Sequence, residues 1–233
     1  MNIKTVKLLS AQLLIVAGSL AYADELEVVK PGSGQGSILI LNQQKRVNTS
    51  EFESVAKLFA EMTECKVFAS DKEVPATICL RVTDNSSAPH SLLAPEDHWG
   101  EINIAKLVDD LSSDKAKSKF LASRARKLAI KSLSILCGGG ASQFPDNLMN
   151  TATIREMDYH KEQVPVDLVD RYTTYLKQLG ITPRVTASYE EACQEGWAPQ
   201  PTNEFQKAIW DKVHAIPQKP IKIEYNEKRD KGK

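Results

Sequence analysis

The side chains in this sequence with chemistry to offer are four histidines, four cysteines and a few serines near a glycine run. His90 and His98 share a stretch with Glu96 and Asp97. Imidazole and carboxylate are proper metal ligands, so this loop is where a secreted hydrolase or metalloenzyme of another class would keep an unrecognised site. Its spacing matches no known metal pattern, and polar loops carry such residues routinely. Cys137 and His160 invite comparison with a thiolate pair, but a reactive cysteine needs an electropositive, partly open setting. Cys137 sits instead at the apolar end of a helical pattern. Ser132 and Ser134 lack the G-x-S-x-G turn that exposes a serine nucleophile. Gly138, Gly139 and Gly140 end a helix rather than begin one, and no Lys-Ser/Thr follows, which disfavours a phosphate loop. Nothing in the sequence asks for a cofactor.

Composition bounds the answer further. The 233 residues suffice for one good core or two small subdomains, with the make-up of an ordinary globular protein. Lys4 and Lys7 precede an apolar run from Leu8 to Leu20, shorter than the roughly 20 residues a membrane span needs. Ala21-Tyr22-Ala23 is a small-x-small cleavage site, so residues 1–23 read as a signal peptide cut before Asp24. The expected product is exported to the periplasm or beyond, with no membrane attachment once the peptide is gone. Its charge becomes 28 basic against 30 acidic residues, because the 30 and 30 of the whole chain lose only two lysines. A near-neutral chain offers no basic face for nucleic acid. Cys65, Cys79, Cys137 and Cys193 permit three disulfide pairings in an oxidising compartment. Cys65 and Cys79 are favoured because each falls in or beside one of two successive predicted strands; free buried thiols are the alternative.

These groups must be positioned by regular elements. Residues 37–42 (SILILN) predict a buried strand. Asn48, Thr49 and Ser50 supply capping oxygens to a helix over 50–63, whose apolar side holds Phe52, Val55, Ala56, Leu58, Phe59 and Met62. Strands follow over 65–69 and 76–82, then a loop over 84–100, then a strand over 101–107. A long helix spans about 114–137, with Leu121, Ala122, Ala125, Leu128, Ala129, Leu133 and Leu136 on one face. Arg124, Arg126 and Lys127 read as its solvated side. Three glycines stop it. Helices are expected over 166–179, 188–195 and 204–213, and 217–225 reads as extended. The fold class is α+β: a small mixed twisted sheet with one backing helix and a long central helix, then a mostly helical C-terminal lobe. The division is expected near Gly140, giving 24–140 and 141–233. Trp197 and the tyrosines Tyr159, Tyr172 and Tyr175 serve either as partner anchors or as core plugs.

This order resembles the metzincin catalytic domain, and the archaemetzincin pattern fits it best: His-Glu-x-x-His-x-x-Gly-x-x-His-Cys-x4-Cys-x-Met. With the pattern's glycine on Gly138, its methionine falls on Met149 without a gap. The ligand positions become Lys131, Ile135 and Ala141, the general-base position Ser132, and the cysteine positions Ser142 and Asn147. Two of the eight defined positions match. The resemblance implies a scaffold whose zinc ligands and base have been replaced. Ile and Ala cannot bind a metal, and a lysine cation repels one. It therefore implies no zinc and no peptidase activity by this route, with Met149 as a core residue. The expectation is an exported, non-catalytic, metzincin-like protein with a binding or structural role, its partner an unidentified protein or peptide.

Overall fold

The computed structural model describes residues 27–215. The signal-peptide segment, the basic tail and the 217–225 stretch lie outside the described residues. In chain order the elements are β1 (Glu27–Val29), β2 (Ile38–Asn42), α1 (Thr49–Thr63), β3 (Val67–Ser70), β4 (Ile78–Thr83), β5 (Ser91–Ala94), β6 (Trp99–Asn103), α2 (Asp114–Leu136), α3 (Val169–Gln178), β7 (Thr186–Ser188), α4 (Tyr189–Gln194) and α5 (Glu204–Ala215). The protein is α+β. No helix among the described residues is long and apolar enough to cross a membrane.

Two compact units form, one from residues 32–185 and one that combines 27–31 with 186–215. The larger unit runs past Gly140, so 141–185 belongs with the sheet and not with the helices that follow.

The larger unit is built on a five-stranded sheet in the order β3-β2-β4-β6-β5. Every residue of β2 is buried, as expected of a short apolar run between two parallel neighbours. β4 alternates, burying Ile78, Leu80 and Val82. β6 continues the parallel set beside β4, and β5 closes the edge antiparallel to β6. That edge strand lies inside the stretch predicted as loop; Pro89, Pro95 and the run of small polar residues masked its four residues. α1 returns the chain from β2 to the parallel β3, burying Phe52, Val55, Ala56 and Phe59.

The sheet order corrects the expected Cys65–Cys79 disulfide: all four cysteines are free. Cys65 precedes β3 and Cys79 lies on β4, with β2 between those strands. Two strand spacings are about 10 Å, beyond the roughly 4.4–6.8 Å that a disulfide spans between Cα atoms.

From Arg124 onward α2 is buried over most of its circumference, whereas residues 114–123 are exposed or half-buried. The stretches Lys127–Ile130 and Ser132–Ser134 are buried at consecutive positions, which no one-sided surface helix allows. Its Ser113 cap accepts from the Ala116 N–H at 3.2 Å. At the other end Gly138 (φ 83°) donates to Ile135 O at 3.0 Å and Gly139 to Ser134 O at 2.8 Å. This is the paired Schellman closure. The glycines have unequal duties. A Cβ on Gly138 would lie 2.8 Å from Tyr175 Cγ, and one on Gly139 would lie 2.5 Å from Ser134 O and 2.7 Å from Tyr172 Cε1. α3 thus packs directly on the bare backbone of the helix exit. At Gly140 only the Arg171 guanidinium stands near, at 3.6 Å.

In the smaller unit β1 pairs antiparallel with β7, from Glu27–Ser188 to Val29–Thr186. Ser188 and Glu191 form a capping box at the start of α4. Val28, Tyr189, Ala192 and Cys193 make a small core, against which Trp197 and Trp210 pack.

The glycine geometry sets an expected outcome. Gly139→Ala should lower stability by about 1–3 kcal/mol through overpacking, whereas Gly140→Ala should stay within about 0.5 kcal/mol. Urea unfolding of both variants checks this, and equal midpoints would refute the packing account.

Candidate ligand-binding cleft

A cavity of about 740 Å³ opens in the larger unit between the sheet edge and α2. His90, Ser91 and Leu93 line it from the edge strand and its approach. Lys106, Asp109 and Asp110 come from the loop after β6. Leu128, Lys131, Ser132 and Ile135 come from α2, and residues 151–155 with Met157 close the remaining side. Gly100 on β6 lets these elements approach one another. A Cβ there would lie 2.7 Å from Leu93 Cδ2 and 3.1 Å from Leu136 Cδ1.

Three of the eight motif positions meet at this cavity, all on α2: Lys131, Ser132 and, one turn beyond Lys131, Ile135. The other five do not line it; Ser142 bonds Asp167 and Asn147 caps the turn at Met149. Gly138 turns the chain out of the helix, Ala141 is exposed in the loop beyond, and Met149 is buried in the main core beside Leu148. Lys131 is held from the methionine side. Its Nζ donates to Thr151 O at 2.5 Å and lies 3.3 Å from Thr151 Oγ1. Burial pulls the Lys131 ammonium below its usual pKa, while Glu156 pulls it the other way. Thr151 is itself fixed by its hydroxyl, which donates to Leu148 O at 2.8 Å.

The expected rival site is divided. His90 reaches the cavity wall, with its Nδ1 buried and lacking a hydrogen-bond partner among the described residues. His98 sits in the left-handed region (φ 57°), and its Nδ1 lies 3.1 Å from Pro95 O, close to the Tyr175 ring. Glu96 and Asp97 form a single turn with Pro95. Among the described residues no three His, Cys, Asp or Glu side chains gather as a metal-binding group. Cys137 and His160 also serve separate ends. Burial pushes the Cys137 thiol up, with the nearby Cys65 adding to the effect, and His160 Nδ1 lies 3.1 Å from Asp146.

Beside the cavity lies a cluster that overturns one expectation. Arg124 and Lys127 are buried, not solvated; Arg124 is 1% exposed. The Arg124 guanidinium meets Asp110 through Nη1 at 2.5 Å and Nη2 at 3.0 Å. It meets Asp158 through Nε at 2.9 Å and Nη2 at 2.6 Å. A further bond runs to Leu107 O at 2.5 Å. Planar forked geometry suits arginine to this double carboxylate clamp. The two aspartates raise the Arg124 pKa still further, Asp158 more than Asp110. The hydrogen bond from Arg124 holds the Asp110 carboxyl below the usual range. Arg126 makes a parallel set to Glu162 and Glu51. Apolar periodicity gives no signal for such a clamp, because its carboxylates lie 14 and 34 residues away along the chain.

No protein-family profile matches the chain, and no curated protein matches its sequence. Among solved structures, it is similar in part to a zinc-dependent peptidase from Methanocorpusculum labreanum, at 14% identity and a TM-score of 0.44, over 59% of this chain and 100% of that one. An archaemetzincin from Methanopyrus kandleri is matched at 14% identity and 0.45, over 62% and 97%. An archaemetzincin from Archaeoglobus fulgidus, crystallised with malonate, is matched at 14% and 0.39, over 58% and 99%.

Two outcomes follow from the clamp. Arg124→Met strands Asp158, which is 17% exposed, and should cost about 3–5 kcal/mol. Adding Asp158→Asn should recover part of that, as measured by urea unfolding of the single and double variants. For pH, Asp110 has a folded pKa below its unfolded value of about 3.9. Its contribution is present above about pH 4 and lost as pH falls through the folded value. Asp110→Asn should therefore unfold with less dependence on pH below 4 than the parent protein. The same acid slope in both would count against the clamp.

Proposed function

We propose that this is an exported, non-catalytic binding protein with a metzincin-like core, whose cleft receives an extended peptide segment alongside β5. One observation carries the reading. The cleft between an antiparallel edge strand and a long central helix stays open at about 740 Å³, while its helix wall presents Lys131, Ser132 and Ile135. An edge strand leaves one row of backbone N–H and C=O groups unpaired, ready for an added strand. Leu92 on that strand is 59% exposed, an apolar contact beside the row.

Zinc does not fit the residues present. Catalytic zinc needs three nitrogen, sulfur or carboxylate donors converging on one ion. The matched positions offer an ammonium, an aliphatic chain and a methyl group, and Ser132 cannot serve as a carboxylate base. The chemistry of the donor set, together with Lys131 already bonded to Thr151, supports binding without hydrolysis. Export rests on the basic start, the short apolar run and the Ala-Tyr-Ala site of residues 1–23. Three buried thiols among the four cysteines are compatible with an oxidising compartment, since burial shields them.

Purified full-length protein should carry no stoichiometric zinc by mass spectrometry of its metals and should leave a peptide library intact. Cleavage abolished by a chelator would overturn the reading. Cell fractionation with N-terminal sequencing should place the mature protein outside the cytoplasm, beginning at Asp24.

A further inference from the structure

The charges around the cleft do not balance, and this identifies what its ligand must bring. Lys106, Lys131 and Arg155 line it with basic side chains, against Asp109 and Asp110. Asp110 is already matched, because both its oxygens accept from Arg124, which is not part of the lining. That leaves three cations facing Asp109, with the Glu156 carboxylate acting on Lys131 from outside the lining, and a surplus of one positive charge. Among the described residues the Lys106 and Arg155 side chains make no hydrogen bond or ion pair, though Arg155 is near enough to Asp110 to add to the pull on its carboxyl. Lys131 has three N–H donors, and Thr151 takes two of them. The third remains for the cavity. Between these charges the walls are apolar: Leu93, Leu128, Ile135, Ile154 and Met157. The volume lies within the range of small-ligand sites.

We infer that the cleft selects the C-terminal carboxylate of a peptide whose last side chain is apolar, with Lys131 anchoring the carboxylate and Arg155 reinforcing it from the mouth. This rests on the binding role proposed above and adds the class of ligand. A carboxylate is a planar monoanion that ammonium and guanidinium groups bind by short, charge-assisted bonds. The apolar walls take the terminal side chain, and the unpaired row of β5 takes the backbone that precedes it. An internal segment without Asp or Glu would bring no charge to match the surplus, and an internal Asp or Glu would bring its carboxylate on a side chain, leaving no apolar terminal side chain for the walls. A polyanion would place further charges against the leucine and isoleucine walls, where they cannot be solvated.

The test uses the full chain and a pair of N-terminally fluorescein-labelled heptapeptides ending in leucine, one a free acid and one a C-terminal amide. Fluorescence anisotropy should show the free acid binding about tenfold more tightly, the scale of one hydrogen bond to a charged group. Lys131→Met should remove most of the preference for the free acid and leave the amide unchanged, and an undiminished preference in that variant overturns the inference. Arg155→Gln, at an exposed position where folding is not at stake, should weaken the free acid by a few-fold and spare the amide. Equal binding of acid and amide overturns the inference and leaves the binding role standing. Failure of both peptides to bind removes both. Shortening of the peptides during incubation defeats the non-catalytic reading, and the acid-to-amide ratio still decides the inference.

Discussion

The structure depends on an amphipathic problem that α2 cannot solve alone. A helix buried over most of its circumference must bury polar side chains, and burial of an unpaired charge costs far more than an apolar contact returns. Arg124 meets this condition by lying between two carboxylates from separate segments, Asp110 from the loop after β6 and Asp158 from the chain beyond the helix. The same bonds that neutralise the guanidinium also fasten both flanking segments to the helix. Those segments form two walls of the cleft, so its shape follows from an ion-pair cluster that takes no part in the proposed recognition.

The helix exit works by the opposite device. Where Arg124 adds polar groups, Gly138 and Gly139 remove side chains altogether. Their bare backbone admits Tyr172 and Tyr175 of α3, and Tyr175 then reaches Pro95 O with its hydroxyl at 3.2 Å. The chain beyond the helix is thereby held against the sheet edge. Between α2 and α3 the chain passes Asn147, whose side chain accepts from the Met149 N–H at 3.0 Å. Thr151 follows two residues later, and with it the carbonyl that fixes Lys131. Lys131 and the glycine exit thus share the C-terminal turns of α2, and the ammonium there is fixed by the loop that follows.

That ammonium separates scaffold from chemistry. An imidazole at position 131 would offer a lone pair to a metal; an ammonium offers only donors. Fold alone does not assign function; the side chains a scaffold carries decide what it can bind.

Much of this was legible from residue order, and the reasons differ by element. β2 and β4 declared themselves through apolar content and alternation, α1 through helical spacing, and α2 through spacing and its glycine stop, because each signal is local. Lys131, Ser132 and Ile135 could be placed on one turn of helix for the same reason. Other features depended on partners remote in the chain. The edge strand β5 is too short to announce itself between polar and proline-containing flanks, and only pairing with β6 makes it a strand. Strand order set β2 between Cys65 and Cys79, a separation that sequence neighbours cannot reveal. Arg124 looked like a surface residue because its two carboxylates arrive only when the chain has folded. Local sequence thus determined the elements and the chemical types they carry. Tertiary structure decided which charges are buried, which strands adjoin and which side chains face one cavity, since burial and proximity arise only when distant segments meet.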